Sequence, residues 1–225
     1  MKRALLTCIL FSFASSAVPT LAAAQDREPT FYVEGTVGAA FTQSVDTKQF
    51  TFSDSMNTFS GRAEVHYGTQ FTVGAEAGLT FFNDRVRAGI SYDYANATVR
   101  SATLIGILNG APVNGSFPRS ETIASNFDNT VQMITLNAYY NFLGPDAQVQ
   151  PYIGGGFGSG KIQTAHSNEF PPTAMAGVRV RVTDQLYVSV RYKFTHIEGI
   201  TDVLGIKYDP IEFHTVSLIA GIYLF

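Results

Sequence analysis

The residues that look most like chemistry are Gly155-Gly156-Phe157-Gly158-Ser159-Gly160-Lys161, whose order approaches the G-x-x-x-x-G-K-S/T loop that wraps a nucleotide phosphate. That loop needs a hydroxyl after the lysine to hold the metal, and Ile162 stands there instead. It also needs a helix behind it to aim backbone N–H groups at the phosphate, and no helix-period segment follows. The stretch reads as a glycine-rich strand, and no cofactor is expected. The histidines are His66, His166, His196 and His214. None is spaced at i, i+2 or i+4 from another, so no metal site is expected, and the pattern fits ordinary residues near loop ends. Ester or amide hydrolysis would need a serine activated by a histidine and oriented by a carboxylate. No histidine is followed two residues later by a serine, and an extended His166-Ser167 would send its side chains to opposite sides. No catalytic residue is assigned.

What remains is a set of charges placed inside otherwise apolar stretches: Glu34, Glu76, Arg87, Asp93, Arg179, Arg181, Arg191 and Lys193. Their neighbours alternate with period two, the signature of half-buried strands. In 186–195, Leu186, Val188, Val190, Tyr192 and Phe194 share one face, while Tyr187, Ser189, Arg191, Lys193 and Thr195 share the other. Segments 176–182, 85–94 and 71–81 repeat the pattern. Four more strands are expected at 30–41, 129–142, 149–162 and 211–225, which makes eight, an even number.

The connections are lopsided. Asn83-Asp84, Leu143-Gly144-Pro145-Asp146 and Thr183-Asp184-Gln185 are short turn sequences, whereas 42–68, 100–127, 163–171 and 196–210 are longer and polar. Short turns on one rim and long loops on the other is the layout of an outer-membrane barrel with its turns in the periplasm.

The beginning of the chain agrees. Met1-Lys2-Arg3, an apolar stretch from Ala4 to Ala14 and small residues ending Ala22-Ala23-Ala24 have the order of a secretory signal. Cleavage after Ala24 leaves residues 25–225 as one barrel domain and removes the single cysteine, Cys8, so disulfides play no part. It also removes Lys2 and Arg3 from a chain with 15 basic and 18 acidic residues, an acidic balance unsuited to nucleic acid. No apolar run beyond the signal is long enough for a spanning helix.

Alternation alone does not say whether the apolar face points in or out. Three features favour lipid outside. The final segment 217–225 runs to Phe225 as an apolar strand. Aromatic residues gather toward strand ends (Phe31, Tyr32, Phe41, Phe71, Phe81, Phe82, Tyr140, Phe142, Tyr187, Phe194, Tyr223 and Phe225), as interfacial girdles require. The asymmetry of turns and loops is the third. The eight charges then line the lumen, where an unpaired ion costs several kcal/mol, so Glu34 and Glu76 are expected to meet Arg191 and Lys193. In 213–225 the inward set is expected to be His214, Val216, Leu218, Ala220, Ile222 and Leu224, which would make part of the lumen wall greasy.

The run from Ala176 to Phe194, AGVRVRVTDQLYVSVRYKF, followed by HTVSLIAGIYLF from His214 to Phe225, resembles the opacity-type and OmpA-like outer-membrane β-barrel family. Pro151-Tyr152-Ile153-Gly154-Gly155-Gly156-Phe157-Gly158 is similar to that family's fifth strand. The resemblance spans about residues 30–225, and the basic residue usual before the final phenylalanine is replaced here by Leu224. It implies that Tyr223 and Phe225 form the terminal signal read by the barrel-assembly machinery. It also implies a porin-like surface antigen acting in envelope integrity, adhesion or immune evasion. The expected function is therefore an integral, non-enzymatic barrel in outer-membrane lipid and lipopolysaccharide, meeting a host or surface ligand through its loops. A narrow porin or hydrophobic channel is the alternative, and a lipid A-modifying barrel enzyme the third reading.

Overall fold

The computed structural model describes residues 28–53, 55–118, 129–162, 170–201 and 205–224, and the expected signal segment and Phe225 lie outside them. Eight strands close into an antiparallel barrel: β1 (Thr30–Thr42), β5 (Gln70–Phe81), β6 (Val86–Ala97), β9 (Asn129–Asn141), β10 (Val149–Ile162), β11 (Pro172–Arg181), β12 (Leu186–Ile197) and β13 (Ile211–Leu224). β1 pairs with β13 on one side and β5 on the other, which shuts the wall and leaves no barrel edge. The expected strands are those observed, with ends moved by a few residues.

Which face meets which solvent follows from exposure. In β12 every second residue from Leu186 to Tyr192 is exposed and every intervening one is buried: Val190 is 51% exposed while its neighbour Arg191 is 4%. β1, β5, β6, β9 and β11 follow the same rule, so the valines, leucines and isoleucines form the outer surface and the ions the interior. This is the arrangement that hydrocarbon around the barrel stabilises.

Two expectations change at this point. In β13, Val216, Leu218, Ala220, Ile222 and Leu224 face outward, with Leu218 63% exposed, while Ser217, Ile219, Gly221 and Tyr223 face in. The greasy lumen wall expected from this strand is therefore part of the lipid-facing wall. The reason is register: Tyr223 sits opposite Tyr32 and Leu218 opposite Val37, and β1 has no freedom because Glu34 must face inward. The aromatic set also divides by chemistry. Phe31, Phe41, Phe71, Phe82, Tyr140 and Phe142 are exposed on the outside near the rims, but Tyr32, Tyr187 and Tyr223 are buried inside, where their hydroxyls find partners.

Short turns join β5 to β6, β9 to β10 and β11 to β12 on one rim, and β1 starts and β13 ends there. On the opposite rim the two longest connections are folded instead of irregular. They hold β2 (Val45–Asp46), β3 (Phe50–Ser53), β4 (Thr58–Tyr67), β7 (Val99–Leu108) and β8 (Ala111–Pro118), a second sheet with β2 and β3 on one side of β4, then β7 and β8. β4 and β7 prolong the β5–β6 ladder past the rim, through a hydrogen bond from Gly68 N–H to Thr98 O and an irregularity at His66/Tyr67. At about 3.3 Å per residue these ten-residue strands, which continue the wall past the rim, are some 30 Å long. Ala63, Val65, Val99 and Ala102 form their own small core.

Candidate functional site

The lumen is filled in layers. At the short-turn rim, Phe82, Asn83 and Asp84 all have positive φ, at 52°, 56° and 61°. This is a costly conformation for side-chain-bearing residues. Asn141 holds it, its N–H donating to Arg85 O and its side-chain amide donating to Asp84 O. The result is to aim the Asp84 carboxylate inward, 3.1 Å from Arg179, with the Tyr223 hydroxyl donating to it at 3.0 Å and accepting from Arg179. The Arg179 guanidinium also lies over the Tyr187 ring, 5.1 Å from its centre. Arg181 is only half-buried and lines an open cavity of about 370 Å³ at this mouth, together with Glu28, Asp146 and Asp184.

The next layer is the most buried. Arg87, 1% exposed, donates to Glu34 at 2.6 Å and stands among the rings of Tyr32, Tyr139 and Tyr152 at 4.6–5.4 Å. Glu34 also accepts from Tyr187 at 2.9 Å. Glu76 accepts from Tyr32 and Tyr139, both at 2.6 Å, and from Asn137 at 3.0 Å. Arg191 lies between the two carboxylates, 3.7 Å from Glu34 and 3.5 Å from Glu76, and donates to the Tyr139 hydroxyl at 2.8 Å. Above it, Lys193 meets Asp93 at 2.7 Å, and Ser91 bonds to both Asp93 and Thr135.

Each of the four lumen tyrosines in the ionic layer lies across a glycine directly opposite on the next strand: Tyr32 and Gly78, Tyr139 and Gly154, Tyr152 and Gly177, Tyr187 and Gly221. A Cβ at Gly221 would stand 2.2 Å from the Tyr187 ring, and one at Gly154 2.4 Å from Tyr139. The glycines are the space into which the rings tip. The outermost layer is apolar. Ala95, Val131, Met133, Ile197, Ile211 and Phe213 from the barrel wall pack with Val45, Ile200, Ile206 and Tyr208 from the connections above.

Of the eight charges singled out in the sequence, the structure brings Glu34, Glu76, Arg87 and Arg191 into one cluster. Lys193 is joined to Asp93 and not to either glutamate, Arg179 to Asp84, and Arg181 stands apart at the mouth. Asp84 and the tyrosines were missed. The lumen tyrosines were legible in part, since Tyr187 shares a face with Arg191 and Tyr32 with Glu34. Asp84 carried no such signal, because it lies in a turn where period two does not apply. The ledger is even: Glu34, Glu76, Asp84 and Asp93 face Arg87, Arg179, Arg191 and Lys193.

Among the described residues no cluster could hold a metal ion. Ser44 Oγ lies 2.6 Å from His66 Nδ1, with Glu64 3.6 Å from Nε2. These side chains are open to solvent and the carboxylate is beyond hydrogen-bond reach, so they form a surface contact and not a poised nucleophile. His196 lies between Glu198 and Glu212 at the outer rim, and His214 bonds to Tyr192 on the lipid-facing wall. His166 and Ser167 lie outside the described residues.

A closed eight-stranded barrel with an apolar exterior, an ion-filled axis and turns shorter than loops is a transmembrane barrel of the outer-membrane class. The chain belongs to the outer membrane protein β-barrel domain family, whose model matches residues 8–222. It is accordingly an outer-membrane barrel of the bacterial cell. Among solved structures it is similar to Neisserial surface protein A, at 14% identity and a TM-score of 0.52 over 87% of this chain and 99% of that one. It is also similar to OprG from Pseudomonas aeruginosa, at 14% identity and a TM-score of 0.47 over 87% and 95%. At these identities the likeness concerns the fold alone. A search of curated proteins returned no match.

Proposed function

We propose that this protein is a non-enzymatic closed barrel whose task is to hold an extracellular sheet above the outer membrane for surface interaction. The observation that carries the reading is Arg191, held between Glu34 and Glu76 at the centre of the lumen with Tyr32, Tyr139 and Tyr187 packed around them. Water-filled passage would require these ions to part, each leaving a buried partner uncompensated. The apolar layer above them closes the outer mouth a second time. A barrel stoppered at two levels serves as an anchor, and what it presents to the outside is the sheet of β2, β3, β4, β7 and β8.

Outer-membrane lipid and lipopolysaccharide surround the apolar wall, Tyr223 and Phe225 serve as the terminal signal for the assembly machinery, and the host or surface ligand meets the sheet. The alternative of a hydrophobic channel rested on an apolar inner face of β13, and that face turns outward. Planar-bilayer recording of the purified protein tests the reading. No unitary conductance is expected, and reproducible single-channel steps would replace the anchor with a narrow pore.

A further inference from the structure

Two of the outer connections are tied together by backbone, and the tie places two lysines face to face. Thr47 and Tyr208 form an antiparallel bridge, with Lys48 N–H donating to Lys207 O and Asp209 N–H donating to Asp46 O. Thr47 and Tyr208 are buried, so the residues flanking them share the outer face. Lys48 then stands directly across from Lys207, and Asp46 from Asp209. Like charges held opposite each other destabilise a strand pair. The Lys48 ammonium is joined diagonally to Asp209. The other diagonal, from Lys207 to Asp46, forms no ion pair, because strand twist draws one diagonal together and parts the other. Among the described residues the Lys207 ammonium has no partner.

We propose that the cavity beside these lysines binds an acidic sugar, a pyranose ring carrying a carboxylate. The inference rests on the reading of the outer face as the surface-interaction element and names the ligand class for it. The cavity holds about 310 Å³, and its wall includes Lys48, Lys207, Gln49, Phe50 and Phe52 but no acid. That volume lies at the small end of ligand pockets and suits a ring or two, not a long chain. Phe50 is fixed by packing on Phe59, ring centres 5.5 Å apart, and Phe52 is 48% exposed. Two ammoniums, an amide and two rings in one small wall call for a ligand with an anionic edge, hydroxyls and an apolar C–H face. A uronic acid has all three. Its carboxylate would lie between Lys48 and Lys207 and relieve their repulsion, its ring would cover Phe52, and its hydroxyls would meet the Gln49 amide. A neutral sugar leaves the lysines unanswered, and a fatty acid leaves the amide unused.

The test uses full-length protein folded in a sugar-free non-ionic detergent, with D-glucuronate as probe and D-glucose and acetate as controls, and binding read by saturation-transfer NMR titration. Glucuronate is expected to bind more tightly than either control. Lys207→Gln is expected to weaken it about tenfold, the scale of one charge-assisted bond, and Lys207→Arg to restore most of the loss. Phe52→Ser is expected to weaken it several-fold, whereas Lys161→Gln, at an exposed lysine on β10, leaves it unchanged. Heat-modifiable gel migration establishes that each variant barrel is folded. Absence of glucuronate binding, or glucose bound equally well, overturns the proposal. So does a loss in Lys161→Gln as large as in Lys207→Gln, the result for general attraction to surface charge. Acetate bound as tightly as glucuronate, or Phe52→Ser without effect, overturns it as well, since the cavity then holds an anion and not a sugar. Repeating the titration in phosphatidylcholine vesicles with and without lipopolysaccharide separates the two sources of acidic sugar: lipopolysaccharide that displaces the probe assigns the site to the protein's own membrane, and an undiminished signal assigns it to a facing surface. Conductance plays no part in this readout, so a barrel found to conduct would remove the anchor reading and leave the sugar site standing.

Discussion

Arg191 is a buried cation shared between two carboxylates. Burying an ion costs several kcal/mol, and Arg191 offsets this through two carboxylates and a phenol that have few other cations within reach. Arg191→Met is therefore expected to destabilise the folded barrel by about 3–5 kcal/mol, since Glu34 and Glu76 keep only part of their compensation. Lys193→Met is expected to cost clearly less, because Asp93 is partly exposed and can recover solvent. Urea titration of both variants in the same detergent checks the order, and equal losses would contradict it. The tyrosine and glycine pairs allow a second residue-scale prediction. Gly221→Ala puts a methyl into the Tyr187 ring and is expected to cost about 1–3 kcal/mol, as overpacking of a filled core does. Gly35→Ala in the outer wall, where an added Cβ meets nothing within 4 Å, is expected to be nearly silent in the same titration.

At the scale of the strand, register decides everything, because a shift of one residue exchanges lumen for lipid. For β12 the two faces differ so sharply that the sequence alone names them. β13 is different: Ile219 and Tyr223 on one side and Leu218 and Ile222 on the other are all apolar or aromatic, and hydropathy does not separate them. The small and polar residues Thr215, Ser217 and Gly221 were the available clue, and they mark the inward face. Leu218 stands opposite Val37 and Val190 at mid-height of the wall. Leu218→Arg is expected to cost about 2–4 kcal/mol in a bilayer, the penalty for a cation near the midplane. Refolding yield into lipid vesicles measures this, and an unchanged yield would mean that the strand's faces are reversed. The same scale explains the connections 42–68 and 100–127. Read as polar loops, they contain β4 and β7, which extend the hairpin beneath them; their moderate alternation becomes a stable sheet only because β5 and β6 already set the pairing.

For the whole molecule, the two stoppers make a prediction that neither makes alone. Replacing residues 198–209 by a short turn removes Ile200, Ile206 and Tyr208 from the outer mouth but leaves the ionic layer in place. No conductance is expected from that variant. Combining it with Arg191→Gly and Glu76→Ala clears both levels, and single-channel steps are then expected in planar bilayers if heat-modifiable migration shows the barrel folded. Conductance from the loop variant alone would mean that the ions do not seal the lumen.

Period-two alternation, the short and long connections and the lone charges were enough to define eight strands in lipid, because local pleating and the cost of an ion in hydrocarbon act on each strand separately. Which cation meets which carboxylate was beyond such reasoning. Glu34 and Tyr187 lie far apart in the chain and meet only once the wall has closed, and closure sets how far each strand is staggered against the next. The face of β13 and the place of Asp84 were decided at the same step, each by neighbours met only in the folded barrel.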